Sequence, residues 1–462
     1  MMDKVAILHT NDLHSHFENW PKIRRFMKLR TKQLEDKGYR VFKVDDGDAI
    51  DRSNALTEAT SGKANIELMN SVGYDAATIG NNEALTTSHD ELAHLYDDAN
   101  FPVVLDNVID ERTGQLPSWA IPYRDFLLKN NVRVRFMGLT APYPTYQYMD
   151  WNSLPIKSTI ERCLTAWKGQ YDVLILLSHL GINNDRRIAK AFPEINVIVG
   201  GHTHHLLVHG EKVNQTMLTA AEKWGHYVGE ITFDVNDDKQ VENMKARVYK
   251  TSEMKADVKD AEEIEHLEDR GEGILASQRV ADIPHTMTTS LTDDNELVDL
   301  GLKAIEKKAG TTAAVLNTGL FLGNLDKGVV DKNELHKLLP HSIHVMKSEF
   351  YGYNLWEVVM EMEKNKDFLV RFEQKGMGFR GKYFGRLIYD GIRYDPEKKQ
   401  LFYHDELVEP DKKYTIALID HYSFIPFFPA ISIVGKNDIF YDETLRDVFG
   451  DYLAKKFPLK GE

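Results

Sequence analysis

The segment ILHTNDLHSH, residues 7–16, gives the first indication of the fold of the N-terminal half of the chain. Its apolar start continues the run from Val5 to Leu8, which is typical of a short buried strand. Polar residues that include Asp12 and His14 follow at once. Because ligands bind at the carboxyl ends of strands in open α/β sheets, this order predicts a strand that carries polar side chains to a ligand site.

The same order recurs along the first half of the chain. Apolar runs precede the polar clusters DDGD (45–48), SHLG (178–181) and GGHTHH (200–205), and a weaker run precedes GNNE (80–83). Helix-like segments separate these runs, and one helix is expected behind Pro21. The predicted strands are Val5–Leu8, Val41–Val44, Val103–Leu105, Val132–Leu139, Val173–Leu177 and Val197–Val199. Such alternation predicts a layered α/β domain.

The composition excludes several classes of protein. A chain of 462 residues with 42% hydrophobic residues is long enough for two or three domains with large cores. Its net charge of −14 disfavours nucleic-acid polymers and anionic membranes as partners. Cys163 is the only cysteine, so any metal must be held by His, Asp, Glu or Asn. The first apolar run is too short for a signal peptide, which predicts a cytoplasmic protein.

A change in composition marks the middle of the chain. From about Met254 to Arg279 the sequence is strongly charged, with few apolar positions, as in an exposed linker helix. Behind it, near Thr288, a helix-like ELVDLGLKAIEKKAG and an apolar AAVL run open a second domain. The predicted domains are residues 1–250 and 286–462, joined by a linker helix within 251–285.

Each polar cluster has an ordinary structural explanation when it is taken alone. Asp12 with His14 could cap a turn, Asp48 and Asn81 could be turn residues, and His179 could be a core histidine. His202 and His204 would point the same way if their segment were extended. The joint occurrence of the clusters, always after a strand-like run, favours a metal site at one edge of one sheet.

The types of side chain also suit metal chemistry. Imidazole and carboxylate without thiolate favour divalent zinc, manganese, iron or cobalt, and do not distinguish among these ions. Two such ions bridged by one carboxylate can hold a phosphoryl oxygen and generate hydroxide near neutral pH.

The first half resembles the 5′-nucleotidase branch of the calcineurin-like metallophosphoesterases. The resemblance reaches to about residue 235 through ILHTNDLHSH, VDDGD, TIGNNE, ILLSHLG, VIVGGHTH and TAAEKWGHYVGEI. It implies an N-terminal four-layer α/β/β/α sandwich, a linker helix and a C-terminal α+β substrate domain. It implies one ion on Asp12, His14, Asp48 and His204, and a second on Asp48, Asn81, His179 and His202. Asp48 would bridge the two ions.

The chain departs from the family at Asn82, which stands where the family has a catalytic histidine. General acid catalysis contributes roughly 10²–10⁴-fold in rate, and an asparagine cannot supply a proton at neutral pH. The resemblance nevertheless makes Asn82 and Asp48 the predicted catalytic residues. Hydrolysis is expected to be slow, or restricted to esters with good leaving groups. Histidines that could substitute, each equally explained by a structural role, are His16, His205 and His226.

The second half resembles the family's substrate domain more weakly. The family signature N-G-G-G-I-R reads NTGLFL at residues 317–322, so its phosphate-facing arginine is missing. Arg380 and Arg386 are candidates for an anion clamp, although surface positions explain them equally well. Phe427 and Phe428 are candidates for stacking on a base, with core packing as the alternative.

The predicted function is hydrolysis of nucleotide phosphate esters with two divalent ions. The substrate classes left open are 5′-mononucleotides, 2′,3′-cyclic nucleotides, nucleotide sugars and dinucleotides. The alternative is a catalytically weak sensor that binds metal and nucleotide, motivated by Asn82 and by Leu322 in place of the family arginine. The sequence leaves the oligomeric state open.

Overall fold

A computed structural model describes residues 2–293, 295–376 and 378–460 of the chain. The chain divides into two compact units, Met1–Gly271 and Glu272–Glu462. Within the described residues, none of the helices combines the length and the apolar character that a membrane span requires.

The first unit alternates strands and helices as the sequence predicts. Its strands are β1 Asp3–Thr10, β2 Tyr39–Asp45, β3 Ala76–Ala77, β4 Val103–Val104, β5 Val108–Asp110, β6 Ala120–Ile121, β7 Arg124–Leu127, β8 Arg133–Thr140, β9 Trp151–Ser153, β10 Val173–His179, β11 Val197–Gly200, β12 Glu211–Val213, β13 Thr216–Thr219, β14 Tyr227–Val235 and β15 Val241–Lys250. Its helices are α1 Trp20–Glu35, α2 Ala55–Ala59, α3 Lys63–Val72, α4 Asn81–Leu85, α5 His89–Leu95, α6 Ile156–Ala166 and α7 Ile182–Ala191, with 3₁₀ turns at Phe17–Asn19, Pro144–Met149 and Thr251–Glu253. Every predicted strand overlaps an observed one.

The helix expected behind Pro21 is α1. Pro21 occupies its first turn, where the missing N–H costs no hydrogen bond. Ile23, Met27 and Leu34 are buried along one face of this helix. The prediction is confirmed.

Two sheets stack in the first unit. One has the strand order β15-β14-β1-β2-β3-β4-β6 and the other β12-β13-β11-β10-β8-β7. Apolar side chains of both sheets form a shared core that includes Ile7, Phe42, Phe136 and Ile175. A second cluster packs α6 and α7 on the outer face of the second sheet. The predicted four-layer α/β/β/α sandwich is confirmed.

The parallel strands within each sheet have their carboxyl ends at the same edge of that sheet. β1 pairs in parallel with β2, and β2 with β3, in the first sheet. β10 pairs in parallel with both β8 and β11 in the second sheet. Each polar cluster of the sequence follows one of these strands.

The helix α8, Asp260–Ala276, lies within the charged segment for which the sequence predicts a linker helix. The division between the two units falls between Gly271 and Glu272, inside this helix. In the first unit Arg24 pairs with Glu263, and Arg25 with Asp260, through two hydrogen bonds each. The boundaries 1–250, 251–285 and 286–462 stay a prediction.

The second unit is an α+β domain with its own core. Its strands are β16 Arg279–Ile283, β17 Ala314–Asn317, β18 Gly328–Asp331, β19 His344–Tyr351, β20 Leu387–Asp390, β21 Ile392–Asp395, β22 Gln400–Tyr403, β23 Glu406–Leu407, β24 Lys413–Ile419 and β25 Lys436–Thr444. Its helices are α9 Glu296–Ala309, α10 Lys332–Leu338, α11 Gly352–Leu369, α12 His421–Phe424, α13 Pro429–Val434 and α14 Leu445–Lys456, with a 3₁₀ turn at Thr318–Leu320. The main sheet has the order β20-β17-β24-β19-β25. The helix and the AAVL strand expected near Thr288 are α9 and β17.

Candidate metal centre

The seven predicted ligand side chains meet in the first unit, at the carboxyl ends of strands from both stacked sheets. Asp12 and His14 follow β1, Asp48 follows β2, and Asn81 opens α4 behind β3. His179 ends β10, and the two remaining histidines follow β11. The expectation of one edge of a single sheet is therefore wrong, because the face-to-face stacking of two sheets brings the strand ends together.

One group of ligand atoms consists of Asp12, His14 and His204. His14 Nε2 lies 3.2 Å from His204 Nε2. Asp12 Oδ1 lies 3.4 Å from His204 Nε2 and 3.8 Å from His14 Nε2. Imidazole nitrogens and a carboxylate oxygen at such distances can share one divalent cation.

A second group lies beside the first and consists of Asp12, Asp48 and His179. His179 Nε2 lies 3.3 Å from Asp48 Oδ2 and 3.9 Å from Asp12 Oδ1. The His202 ring lies 5.4 Å from the His179 ring, and His202 Nδ1 is 2.7 Å from Asn81 Oδ1, which places both predicted ligands beside this group. The two groups share Asp12, and Asp48 Oδ2 is also 3.7 Å from His14 Nε2.

The electrostatics of this edge fit a site for cations. Burial alone would lower the pKa of His179, but the Asp48 and Asp12 carboxylates raise that pKa well above its usual range. Burial would raise the pKa of Asp48, yet His179 and His14 hold it below its usual range. Burial raises the pKa of Asp46, whose carboxylate oxygens have no hydrogen-bond partner among the described residues. Excess buried carboxylate is what divalent ions would neutralise.

The Nε2 atom of His179 directly supports the fit of these residues to a metal site. Among the described residues, the buried His179 Nε2 has no hydrogen-bond partner, while its Nδ1 lies 2.7 Å from the carbonyl oxygen of Asp46. A histidine whose Nδ1–H donates to a carbonyl presents the lone pair of Nε2, as metal-ligating histidines do. The donor set of imidazole, carboxylate and amide oxygen thus fits two divalent ions.

His202 and His204 converge for a different reason from the one expected. The strand β11 ends at Gly200, and both histidines lie behind it with left-handed backbones, at φ of 70° and 54°. The argument from an extended segment is therefore wrong. Left-handed turns direct His202 to Asn81 and His204 to His14.

Asn82 contacts the predicted ligand His14. Its Nδ2 lies 3.0 Å from His14 Nδ1 and 3.0 Å from the carbonyl oxygen of Ile50, to which it donates. Its backbone N–H donates to Asp48 Oδ1 at 2.7 Å. Asn82 therefore orients two of the ligands.

Three residues around the centre were not predicted to have a role. Glu83 is fully buried, and its carboxylate accepts hydrogen bonds from backbone N–H groups of the loop behind β2. Asn11 donates to Asp12 Oδ2 at 2.7 Å, and the Tyr143 hydroxyl lies 3.4 Å from His202 Nε2. Glu83 and Asn11 stand inside the quoted motifs, whereas nothing in the sequence points to Tyr143.

The predicted arginines of the second unit lie in different surroundings. Arg380 donates its backbone N–H to His341 Nδ1 and a guanidinium N–H to the carbonyl of Phe379. Arg386 instead lines a cavity of about 680 Å³ together with Lys366 and Arg393. The two arginines therefore have different neighbours.

The two predicted base-stacking residues, Phe427 and Phe428, also differ in their surroundings. Phe427 is partly buried against Phe372, with ring centroids 4.9 Å apart. Phe428 is 0% exposed and packs on Tyr422 and Phe384. Because no face of its ring is open, the structure places Phe428 in the core instead of at a base-stacking site.

The histidines considered as substitutes for the family histidine lie around the centre. His16 Nδ1 is 2.8 Å from Glu18, His226 Nδ1 is 3.1 Å from Glu222, and His205 Nδ1 is 3.0 Å from Thr203. Each is partly or largely exposed.

Comparison with known proteins agrees with this geometry. The family model described as calcineurin-like phosphoesterase matches residues 5–206. The chain is 36% identical over 466 residues to the uncharacterized metallophosphoesterase YunD of Bacillus subtilis, with 98% of this chain and 100% of that protein covered. It is 25% identical to a 5′-nucleotidase of Vibrio cholerae over 73% of this chain and 71% of that protein.

The fold extends over the whole chain of a solved relative. The structure of the NAD nucleotidase of Haemophilus influenzae superposes with a TM-score of 0.64 at 16% identity, and 98% of this chain and 97% of that chain are covered. This likeness concerns the fold of both units. With the family match and the relative of 36% identity, the chain belongs to the calcineurin-like metallophosphoesterases, a family of metal-dependent phosphoric ester hydrolases.

Proposed function

We propose that the protein hydrolyses phosphate esters of nucleotides, using two divalent ions held by the seven side chains described above. One observation carries the proposal: Asp12, Asp48 and three histidines form two groups of ligand atoms that share the buried Asp12. The candidate ions are Mn²⁺, Zn²⁺, Fe²⁺ and Co²⁺.

The family resemblance divides the predicted ligands between two ions. Asp12, His14 and His204 would hold the first ion, and His179, His202 and Asn81 the second. Asp48 would bridge both, because its Oδ2 faces His14 on one side and His179 on the other. Two ions so held supply a nucleophile at neutral pH and neutralise charge on the phosphoryl group.

The remaining residues orient these ligands. Asn82 positions His14, and its backbone N–H fixes the rotation of the Asp48 carboxylate. Tyr143 contacts the distal nitrogen of His202. Asn82 carries no acidic proton, so a leaving group that departs without protonation is preferred.

The choice of nucleotides as substrates rests on relatives. The Vibrio cholerae relative is named a 5′-nucleotidase, and another relative, at 23% identity over 77% of this chain, is named a trifunctional nucleotide phosphoesterase. In the second unit, Arg380 and the cavity-lining Arg386 are candidate contacts for substrate anions, because guanidinium binds phosphate in a bidentate manner. Phe427 is the remaining candidate for contact with a base.

The test is a panel of substrates run with each candidate metal. The metal-free protein, reloaded with one ion at a time, is given 5′-mononucleotides, 2′,3′-cyclic nucleotides, nucleotide sugars and dinucleotides. Turnover of at least one class with at least one metal is expected, and the Asp48→Ala variant should lose it. Ligand-induced thermal stabilisation without turnover on any class would overturn the proposal in favour of a sensor.

A further inference from the structure

Tyr143 lies three residues behind the carboxyl end of β8. The last residue of that strand, Thr140, pairs in register with His179 of β10. The Asn107 side chain accepts from the backbone N–H of Thr140 at 2.9 Å and donates to its carbonyl at 2.7 Å. Pro144 follows Tyr143, whose backbone is extended, at φ −114° and ψ 130°, as a residue before proline prefers. These constraints place Tyr143 at the edge of the sheet that carries the predicted ligand His179.

The Tyr143 hydroxyl contacts one nitrogen of the His202 ring. Its oxygen lies 3.4 Å from His202 Nε2, and the two rings meet edge to face, with centroids 6.1 Å apart and planes at 74°. Among the described residues, this hydroxyl is the one hydrogen-bond partner of His202 Nε2. The other nitrogen of the ring, Nδ1, lies 2.7 Å from Asn81 Oδ1. Each nitrogen of His202 thus faces a different oxygen atom.

The two nitrogens of a neutral imidazole have different roles, because one carries a proton and the other a lone pair. Asn81 Oδ1 is a predicted ligand atom of the second ion, so the nitrogen beside it, Nδ1, is the one that would present its lone pair to the same ion. The proton of the His202 ring then lies on Nε2 and requires an acceptor. The oxygen of the Tyr143 hydroxyl can be that acceptor, since metal-binding histidines donate their other ring N–H to a nearby oxygen.

We propose that Tyr143 is a positioning residue of the second ion: its hydroxyl accepts the Nε2–H of His202 and thereby keeps Nδ1 of that ring for the metal. The two histidines predicted for this ion are then held in opposite tautomers. His179 donates from Nδ1 to the carbonyl of Asp46, at 2.7 Å, and presents Nε2, whereas His202 donates from Nε2 and presents Nδ1. The inference rests on the proposed function, because it concerns the second ion of that centre. Tyr143 selects the nitrogen of His202 that binds this ion.

Titration of the metal-free, full-length protein with Zn²⁺, in competition with a fluorescent chelator, measures two dissociation constants. Tyr143→Phe removes only the hydroxyl. One dissociation constant should rise about 10-fold, at the lower end of the effect of such partners because 3.4 Å is a long hydrogen bond, and the other should equal that of the parent. Tyr148→Phe, which removes a hydroxyl from an exposed side chain of the 3₁₀ turn that follows, should leave both constants unchanged.

The tautomer of His202 can be observed directly. Long-range ¹H–¹⁵N spectra of the zinc-loaded parent, labelled with ¹⁵N-histidine, distinguish a ring protonated at Nε2 from one protonated at Nδ1. The spectrum of His202→Gln identifies the signals of this ring. His202 should be protonated at Nε2. This measurement needs no variant of Tyr143, so it also decides the proposal if Tyr143→Phe does not fold.

The role of Tyr143 and the proposed function can fail separately. Unchanged constants in Tyr143→Phe, an equal rise in both, or a His202 ring protonated at Nδ1 in the zinc-loaded parent would overturn the role of Tyr143 while leaving the proposed function intact. A parent that binds two ions with the expected dependence on Tyr143, but hydrolyses no ester of the panel with any metal, would overturn the proposed function alone. A parent that binds no zinc would overturn both.

Discussion

Asp48 lies where the two groups of ligand atoms adjoin. Its Oδ2 faces both His14 and His179, and its Oδ1 accepts from the Asn82 backbone. Asp48→Ala should therefore release both ions together, measured as metal content by atomic emission after dialysis. His205→Ala, which changes a histidine exposed at the same edge, should keep both ions. Two ions retained in Asp48→Ala would show that the carboxylate bridges nothing.

Asn82 contacts His14 at Nδ1, the ring nitrogen that is not the one near His204. Its amide contacts His14 Nδ1 and the carbonyl of Ile50, so Asn82→Ala removes both contacts without changing a ligand. Residues that orient ligands typically contribute about 10–100-fold to metal affinity, and a loss in that range is expected. Competition with a fluorescent chelator measures it, and Asn184→Ala, on α7 in the same unit, provides the control. Parent-like affinity would contradict the positioning role.

At the residue scale, the sequence predicted which side chains meet but not what holds them. The candidate ligands could be chosen because each follows a strand-like run, in an order that few proteins share. The contact from Asn82 to His14 depends on two loops approaching across the sheet, and the pattern of either loop alone does not contain it. Phe428 illustrates the same limit, because the sequence of an aromatic cluster does not show whether its rings are exposed or buried in the core.

At the scale of elements, one buried glutamate joins the loop behind β2 to the start of α4. The Glu83 carboxylate accepts from the backbone N–H groups of Asp48, Ala49 and Gly80, at 3.0, 2.7 and 2.7 Å. Glu83→Gln turns one acceptor into a donor that faces these N–H groups. Burial raises the pKa of Glu83 to about 7, so the carboxylate is charged at pH 8. At that pH the free energy of unfolding should fall by about 2 kcal/mol, the contribution of hydrogen bonds to a charged group.

Urea denaturation followed by circular dichroism measures this loss. Glu111→Gln, an exposed glutamate of the same unit, is the matched control and should unfold like the parent. A Glu83→Gln variant as stable as that control would mean that the loop is held by other contacts.

The long apolar strands of the first unit were predictable, because runs such as Val173 to Leu177 are buried on both faces. The strand Ala76–Ala77 is too short to carry any periodicity by itself, whereas Val103–Val104 was predicted from its apolar run. The assignment of strands to two stacked sheets depends on pairing between distant segments. That pairing is a property of the assembled core, which explains why the sequence placed the ligands on one sheet edge.

At the scale of the whole molecule, each unit has a core of its own. The first unit buries apolar residues between and outside its two sheets, and the second surrounds its sheet with α9, α11 and α14. The division into two halves was predictable from the charged segment near residue 260. This segment has too few apolar side chains to form part of a hydrophobic core. The predicted metal ligands all belong to the first unit.

Metal should therefore stabilise one unit and not the other. Each ion present at about 100 times its dissociation constant adds about 2.7 kcal/mol to the unit that binds it, and one ion alone raises the Tm of that unit by roughly 5–10 °C. Differential scanning calorimetry of the full chain, with metal and then with chelator, should show one transition that moves and one that stays. In Asp48→Ala neither transition should respond to metal. Equal movement of both transitions would contradict the independence of the two cores, and no movement in the parent would contradict the metal centre itself.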